Sequence, residues 1–291
     1  MKLATYRRRD GALRPAALVE GALVDLLDAD AKLPASILAL LDAGADALAA
    51  AHKAARAALT RIDPATVSLA APVPRPGKLL AIGLNYRDHA HESGQPIPDV
   101  PVVFNKQTTC ITGPYDDVHL PRVSPMLDYE GELGVVIGRR CRHVPRDEAA
   151  AVIAGFVVIN DVTVRDWQLR TPTWTIGKSF DTHGPMGPLL VTADELDAGD
   201  LAIRTFVNGE ERQSSRTSQL IFDCAALVEH LSTACTLEPG DVISTGTPAG
   251  VGMARNPPSM LAAGDVVAVE IEGIGRIENR IVAEPDDTVV Y

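Results

Sequence analysis

Between Leu127 and Gly138 three carboxylates recur at every second position: Asp128, Glu130 and Glu132. The run Leu133-Gly134-Val135-Val136-Ile137 that follows is apolar and β-branched, and Gly138 closes it. The stretch is therefore predicted to be a strand with all three acids on one face. Carboxylates stacked on one face repel each other and resist desolvation, so such a row calls for a cation. The alternative is a solvated edge strand with an acidic face. Asp161 comes at the end of a second apolar run, Phe156-Val157-Val158-Ile159, where a side chain can point into a cleft. Glu130, Glu132 and Asp161 would make an all-oxygen site suited to Mg²⁺ or Mn²⁺, whereas zinc favours histidine or cysteine. Three carboxylates exceed the charge of one divalent ion by one unit, and Arg165 and Lys178 are the candidate balancing cations.

A second reactive grouping lies in Leu84-Asn85-Tyr86-Arg87-Asp88-His89-Ala90-His91-Glu92-Ser93-Gly94, directly after a strand end. On a helical turn His89 and Glu92 are i, i+3 neighbours and can hydrogen-bond. A carboxylate beside an imidazole fixes its tautomer and raises its basicity, as a general base requires. A polar surface turn would carry the same residues. Gly177-Lys178-Ser179 lacks the upstream glycine and following helix of a nucleotide-binding loop. The glycine-rich loop Thr245 to Gly252 lacks dinucleotide-binding spacing, yet its N–H groups and the Thr247 hydroxyl could bind a carboxylate.

The elements that must position these groups can be read in outline. Residues 1–72 are expected to form a small separate unit, with strands over Lys2 to Arg8 and Ala16 to Leu26. An alanine- and leucine-rich helix should run from the Ser36 cap to about Thr60. The proline-rich linker Ala71 to Gly77 marks the boundary with a unit over 73–291. Strands are expected at Lys78–Gly83, Val102–Lys106, Phe156–Ile159, Val242–Ser244, Val266–Ile271 and through Val282. Asn208-Gly209 should turn a hairpin, and helices should cover Asp147–Ala154 and Ile221–Ala234. Trp174 to Pro188 is too rich in glycine and proline to be helical.

Composition narrows the classes. The 291 residues are 46% hydrophobic and 22% charged, enough for a sizeable core. A net charge of −11 argues against a nucleic-acid surface, which needs a basic patch. No apolar run approaches the ~20 residues of a membrane span and nothing after Met1 reads as a signal peptide, so a cytoplasmic location is expected. The four cysteines, Cys110, Cys141, Cys224 and Cys235, form no Cys-x-x-Cys pair and read as reduced thiols.

Taken in order, the motifs are Gly83-x-Asn85-Tyr86-x-x-His89, the Glu130-x-Glu132 strand and Asn160-Asp161-x-Thr163-x-Arg165-Asp166. Gly177-Lys178-Ser179-x-Asp181-Thr182-x-Gly184-Pro185 and Thr245-Gly246-Thr247-Pro248-x-Gly250-Val251-Gly252 follow. This series resembles the fumarylacetoacetate hydrolase family over residues 78 to 283. Residues 1–72 resemble the small N-terminal α/β domain of its longer bacterial members. The resemblance implies an α+β mixed β-roll, a homodimer and one Mg²⁺ or Mn²⁺ ion held by Glu130, Glu132 and Asp161. It implies a His89–Glu92 dyad that activates water on a mobile segment, with Lys178 neutralising developing charge. Tyr86, Arg165, Gln168 and Thr247 would line the substrate site. His91 departs from the pattern by offering a second imidazole, and Asp128 matches no ligand role and falls outside the ligand shell. The implied reaction is hydrolytic cleavage of the carbon–carbon bond of an acylpyruvate or related β-diketo acid in catabolism, with a small anionic keto acid as substrate. The alternatives are decarboxylation of oxaloacetate-like acids and isomerisation of 2-hydroxymuconate-like diacids at the same metal site.

Overall fold

The computed structural model describes residues 1–286. Its frame is an eleven-stranded mixed sheet. The main path runs Ala22–Asp25, Leu13–Val19, Lys2–Arg7, Gly184–Thr192, Ile153–Asn160, Gly131–Ile137, Val242–Ser244, Leu79–Gly83, Val102–Lys106. Val242–Ser244 and Leu79–Gly83 run parallel, and the other neighbours on this path are antiparallel. A second sheet orders Glu210–Arg216, Ala202–Val207, Val266–Ile271, Gly275–Ala283 and Val118–Leu120. With few helices and mixed strand directions, this is the α+β roll expected.

The acidic strand is central, which excludes the solvated-edge alternative. Gly131–Ile137 sits between Ile153–Asn160 and Val242–Ser244 with every residue buried. Its side chains alternate between two cores. Leu133, Val135 and Ile137 pack with Ile203, Val269 and Ile277 of the second sheet. Val136 packs with Ile37, Leu40 and Leu41 from the N-terminal segment. Apolar packing on both faces thus holds the site end of this strand rigidly. Leu127 to Ile137 is not one continuous strand, however. Leu127–Asp128 pairs with Thr163–Val164 in a separate ladder, and Tyr129 and Glu130 lie in the break.

The N-terminal segment joins the large sheet through Lys2–Arg7, which pairs with Gly184–Thr192. The proline-rich segment 71–77 falls between Ser68–Ala70 and Leu79–Gly83, and the sheet continues across it. The expected second strand is a hairpin of Leu13–Val19 with Ala22–Asp25, turned at Glu20 and Gly21, both at positive φ. The expected long helix is two, Ile37–Asp42 and Ala45–Ala57, because Gly44 at φ 84° breaks the run. Ser36 does cap the first, its Oγ accepting from Ala39 N at 3.1 Å. Arg146–Val152 is 3₁₀ rather than α-helix. Residues 184–192 form a buried strand that the glycines and prolines concealed. Among the described residues no helix is long and apolar enough to cross a membrane.

Candidate functional site

Glu130 and Asp161 are brought together by backbone pairing. The Asp161 N–H donates to the Glu130 carbonyl at 2.8 Å, and the Glu130 N–H donates to Asn160 Oδ1 at 3.0 Å. Glu132 arrives from the strand itself. One oxygen from each of Glu130, Glu132 and Asp161 lies within 4.8 Å of the others, and all three residues are buried. Gly131 lets the chain pass: a Cβ there would run into the Thr205 hydroxyl. Asp128 does not join this triad. It accepts from Gly252 N at 2.8 Å and Met253 N at 2.9 Å, and meets Arg165 Nε at 2.8 Å.

Three cations surround the acids. Lys178 Nζ bridges Glu130 Oε2 at 2.7 Å and Asp161 Oδ2 at 2.8 Å. Arg165 donates to Glu130 Oε1 at 2.6 Å and to Gln168 Oε1 at 3.0 Å, besides its pairing with Asp128. The third is Lys106, fully buried, whose Nζ reaches Asp161 Oδ1 at 2.5 Å and the His183 carbonyl at 3.0 Å. Asp128, Glu130, Glu132 and Asp161 therefore face Lys106, Arg165 and Lys178, leaving one negative charge in excess.

The excess settles on Glu132. Burial, and then the neighbouring Asp161 and Glu130, push its pKa up from 4.5 to about 8. For Glu130 burial acts in the same sense, but Lys178 and Arg165 outweigh it and hold the carboxyl at about 2. For Lys178 burial favours the neutral form, and Asp161 and Glu130 overcome it to raise the pKa. Glu132 Oε2 accepts from Ser244 Oγ at 2.6 Å and Gly246 N at 2.9 Å, while Oε1 has no hydrogen-bond donor among the described residues. A buried all-oxygen donor set with one excess charge and one free carboxylate oxygen fits a hard divalent cation. Adding that charge would leave the cluster one unit positive, a setting for an anion.

Cation binding must displace the Glu132 proton. Affinity for Mg²⁺ or Mn²⁺ is expected to rise as pH increases from 6 to 8, with about one proton released per ion below pH 8. Calorimetry in two buffers of different ionisation enthalpy measures both quantities.

The sequence-predicted dyad lies on the helix Arg87–Glu92. His89 Nδ1 and Glu92 Oε2 are 3.1 Å apart, so the carboxylate favours a proton on Nδ1 and leaves Nε2 free to act as a base. Glu92 Oε1 accepts from Gly250 N at 2.9 Å, and Asp88 Oδ2 accepts from Ser215 Oγ at 2.6 Å, which ties the helix to the loop and strand beside the triad. His91 is exposed, and Glu92 bonds to His89. Thr247 Oγ1 donates to the Gly131 carbonyl at 3.1 Å and accepts from Gln213 Nε2 at 2.8 Å. Tyr86 lies within electrostatic reach of Glu132. It is fully buried in the main core, its hydroxyl without a partner among the described residues, and burial followed by Glu132 raises its pKa far above the usual range.

Residues 78–282 match the family described as fumarylacetoacetate (FAA) hydrolase C-terminal. The chain belongs to the fumarylacetoacetate hydrolase family. It is 44% identical over 266 residues to the mitochondrial oxaloacetate tautomerase Fahd2a of Rattus norvegicus, covering 91% of this chain and 85% of the relative. The crystal structure of maleylpyruvate hydrolase from Sphingobium sp. SYK-6 in complex with manganese(II) and pyruvate superposes with a TM-score of 0.81 at 31% identity, covering 98% of this chain and all of that one. The 5-carboxymethyl-2-hydroxymuconate delta-isomerase from Mycobacterium smegmatis gives 0.78 at 34% identity, again over 98% and 100%. The chain thus shares its fold with a hydrolase and an isomerase, and 44% of the aligned sequence with a tautomerase.

Two participants escaped the sequence reading. Lys106 ends a short apolar strand, where a lysine ordinarily snorkels to solvent, and only the fold turns it inward. Gln213 sits on a strand with no apolar pattern, yet it is buried and holds Gly131 N at 3.0 Å as well as Thr247. Lys106→Met should cost the metal-free protein about 3 kcal/mol, because it strips a buried carboxylate of a partner. Denaturant titration measures this, and a variant as stable as wild type would contradict it.

Proposed function

We propose that this protein is a divalent-metal-dependent enzyme that enolises or cleaves a small anionic 2-oxo acid, with hydrolysis of an acylpyruvate-type β-diketo acid as its reaction. The observation that carries this reading is the His89–Glu92 pair, tethered through Gly250 to the loop that also holds Glu132. Glu130, Glu132 and Asp161 would hold one Mg²⁺ or Mn²⁺ ion. When bound, the ion supplies Lewis-acid polarisation of the substrate's 2-oxo and enol oxygens. His89, oriented by Glu92, takes a proton from a water molecule as that water adds to the distal carbonyl. The carbon–carbon bond then breaks, its electron pair passing into the pyruvate enolate, and the proton held at His89 returns to carbon. Water and acylpyruvate thus give a carboxylic acid and pyruvate. Lys178 offsets charge developing on the enolate. We include a homodimer in the proposal, checked by light scattering.

A second reading has a specific observation in its favour. The 44% identity to an oxaloacetate tautomerase supports keto–enol interconversion of an oxaloacetate-like diacid. The same dyad would remove a proton from the carbon between the carbonyls and return it to oxygen, consuming no water. Incubation with acetylpyruvate, oxaloacetate and a 2-hydroxymuconate-like diacid, with products identified by mass, separates the readings. Acetate and pyruvate from acetylpyruvate are expected. Faster decay of the oxaloacetate enol absorbance with no new mass would favour tautomerisation, and pyruvate from oxaloacetate would favour decarboxylation. No change in any substrate would overturn both.

A further inference from the structure

We propose that Arg212 receives the second carboxylate of a dicarboxylic 2-oxo acid and so sets a preference for diacids; this rests on the 2-oxo acid reading above. A substrate anion needs a cation with donors to spare, and the three cations of the acid cluster have few. Lys178 is spent on Glu130 and Asp161 and Lys106 on Asp161 and the His183 carbonyl, while Arg165 bonds Asp128, Glu130 and Gln168 and keeps only its Nη2, ion-paired with Asp128, without a hydrogen bond among the described residues.

Arg212 pairs with none of the acids of that cluster. Gln213 pairs with Thr205 while Glu211 pairs with Phe206, so Arg212 is the extra residue of a bulge in the Glu210–Arg216 strand. Bulges re-aim side chains and gather beside active sites. The Arg212 side chain is only 17% exposed, and its Nε is buried with no hydrogen-bond partner among the described residues. A buried guanidinium donor without an acceptor is costly, and a carboxylate is the group whose two oxygens fit its fork. Its ion pair with Glu210, at 3.0 Å, is with a side chain 61% exposed, so water screens that contact. Arg255 stands 3.7 Å from the other oxygen of Glu210, adding a second positive charge nearby.

The position is beside the reaction centre. The next residue, Gln213, bonds both Thr247 and Gly131. The Arg212 carbonyl packs so closely on Gly250 that a Cβ there would collide with it, and the Gly250 N–H holds Glu92 of the dyad. The Tyr129 hydroxyl, which donates to the Gly250 carbonyl at 2.9 Å, lies within electrostatic reach of Arg212, Arg255 and Glu92. A substrate with its 2-oxo acid end at the acid triad would extend past the dyad, with its far end towards Arg212.

The test compares succinylpyruvate with its terminal methyl ester, which keeps the shape and removes one charge. Kinetics give kcat and KM, and thermal-shift titration of the Mg²⁺-loaded protein gives binding. Wild type should favour the diacid on the order of 10- to 100-fold in KM and in binding, as a charge-assisted pair would give. Arg212→Met should erase that preference while leaving the ester's parameters unchanged, and Arg212→Lys should keep part of it. An unchanged preference in Arg212→Met overturns the proposal. Should that variant not fold, loss of the preference in Arg212→Gln supports it and retention overturns it. Wild type that treats diacid and ester alike overturns the Arg212 assignment and leaves the 2-oxo acid reading standing. Wild type that neither binds nor turns over either compound overturns both.

Discussion

Replacing His89 by alanine is expected to lower turnover on the order of 10³-fold while leaving metal affinity and folding unchanged. The side chain lies on the short helix Arg87–Glu92 and its ring is bonded to Glu92; it reaches Glu130 only electrostatically, with no hydrogen bond to the triad among the described residues. Its loss therefore removes a base without disturbing the ligand set. His91→Ala should stay near wild type, because His91 is exposed and Glu92 orients His89 instead. Steady-state rates and a Mg²⁺ titration of both variants check this. A larger loss in His91→Ala would reassign the base to His91.

Glu132→Gln should weaken Mg²⁺ binding at least about 10²-fold, since even loss of an outer partner of a ligand costs 10- to 100-fold. The amide keeps an oxygen for the Ser244 hydroxyl and Gly246 N–H and places its NH₂ where the unbonded Oε1 stands. Stability of the metal-free protein should move the other way. In the fold the Glu132 carboxyl ionises near pH 8 instead of 4.5, so the unfolded chain releases this proton first. Wild type therefore loses stability as pH rises from about 5 to 8, whereas the glutamine variant does not titrate there. The melting-temperature difference, variant minus wild type, should grow across that interval. A difference independent of pH would mean that Glu132 is ionised in the metal-free fold.

Much of this site was legible because its acids come in local patterns. The alternating Glu130 and Glu132 and the strand-terminal Asp161 name themselves by type and spacing, and the His89–Glu92 pair by helical separation. What stayed hidden depends on contacts across the chain. Asp128 shares the alternation of its neighbours, but the ladder breaks at Tyr129 and turns it to Arg165 and the Gly252 loop. Lys106 and Gln213 are polar residues on unremarkable strands, buried only because distant partners meet them. Gly184–Thr192 was missed for a different reason. Pro185, Gly187 and Pro188 depress strand propensity, and long-range pairing with Lys2–Arg7 and Ile153–Asn160 overrides it.

If the buried triad works through a divalent cation on an enolisable 2-oxo acid, turnover must follow the ion. The most direct measurement follows the ultraviolet absorbance of acetylpyruvate and of enol-oxaloacetate with EDTA-treated protein, before and after Mg²⁺ or Mn²⁺ is restored. Loss of absorbance only after the metal is added, and not in Glu132→Gln, is the expected result. Equal rates with and without metal, or no change with either substrate under either ion, would contradict a metal-dependent role for the triad.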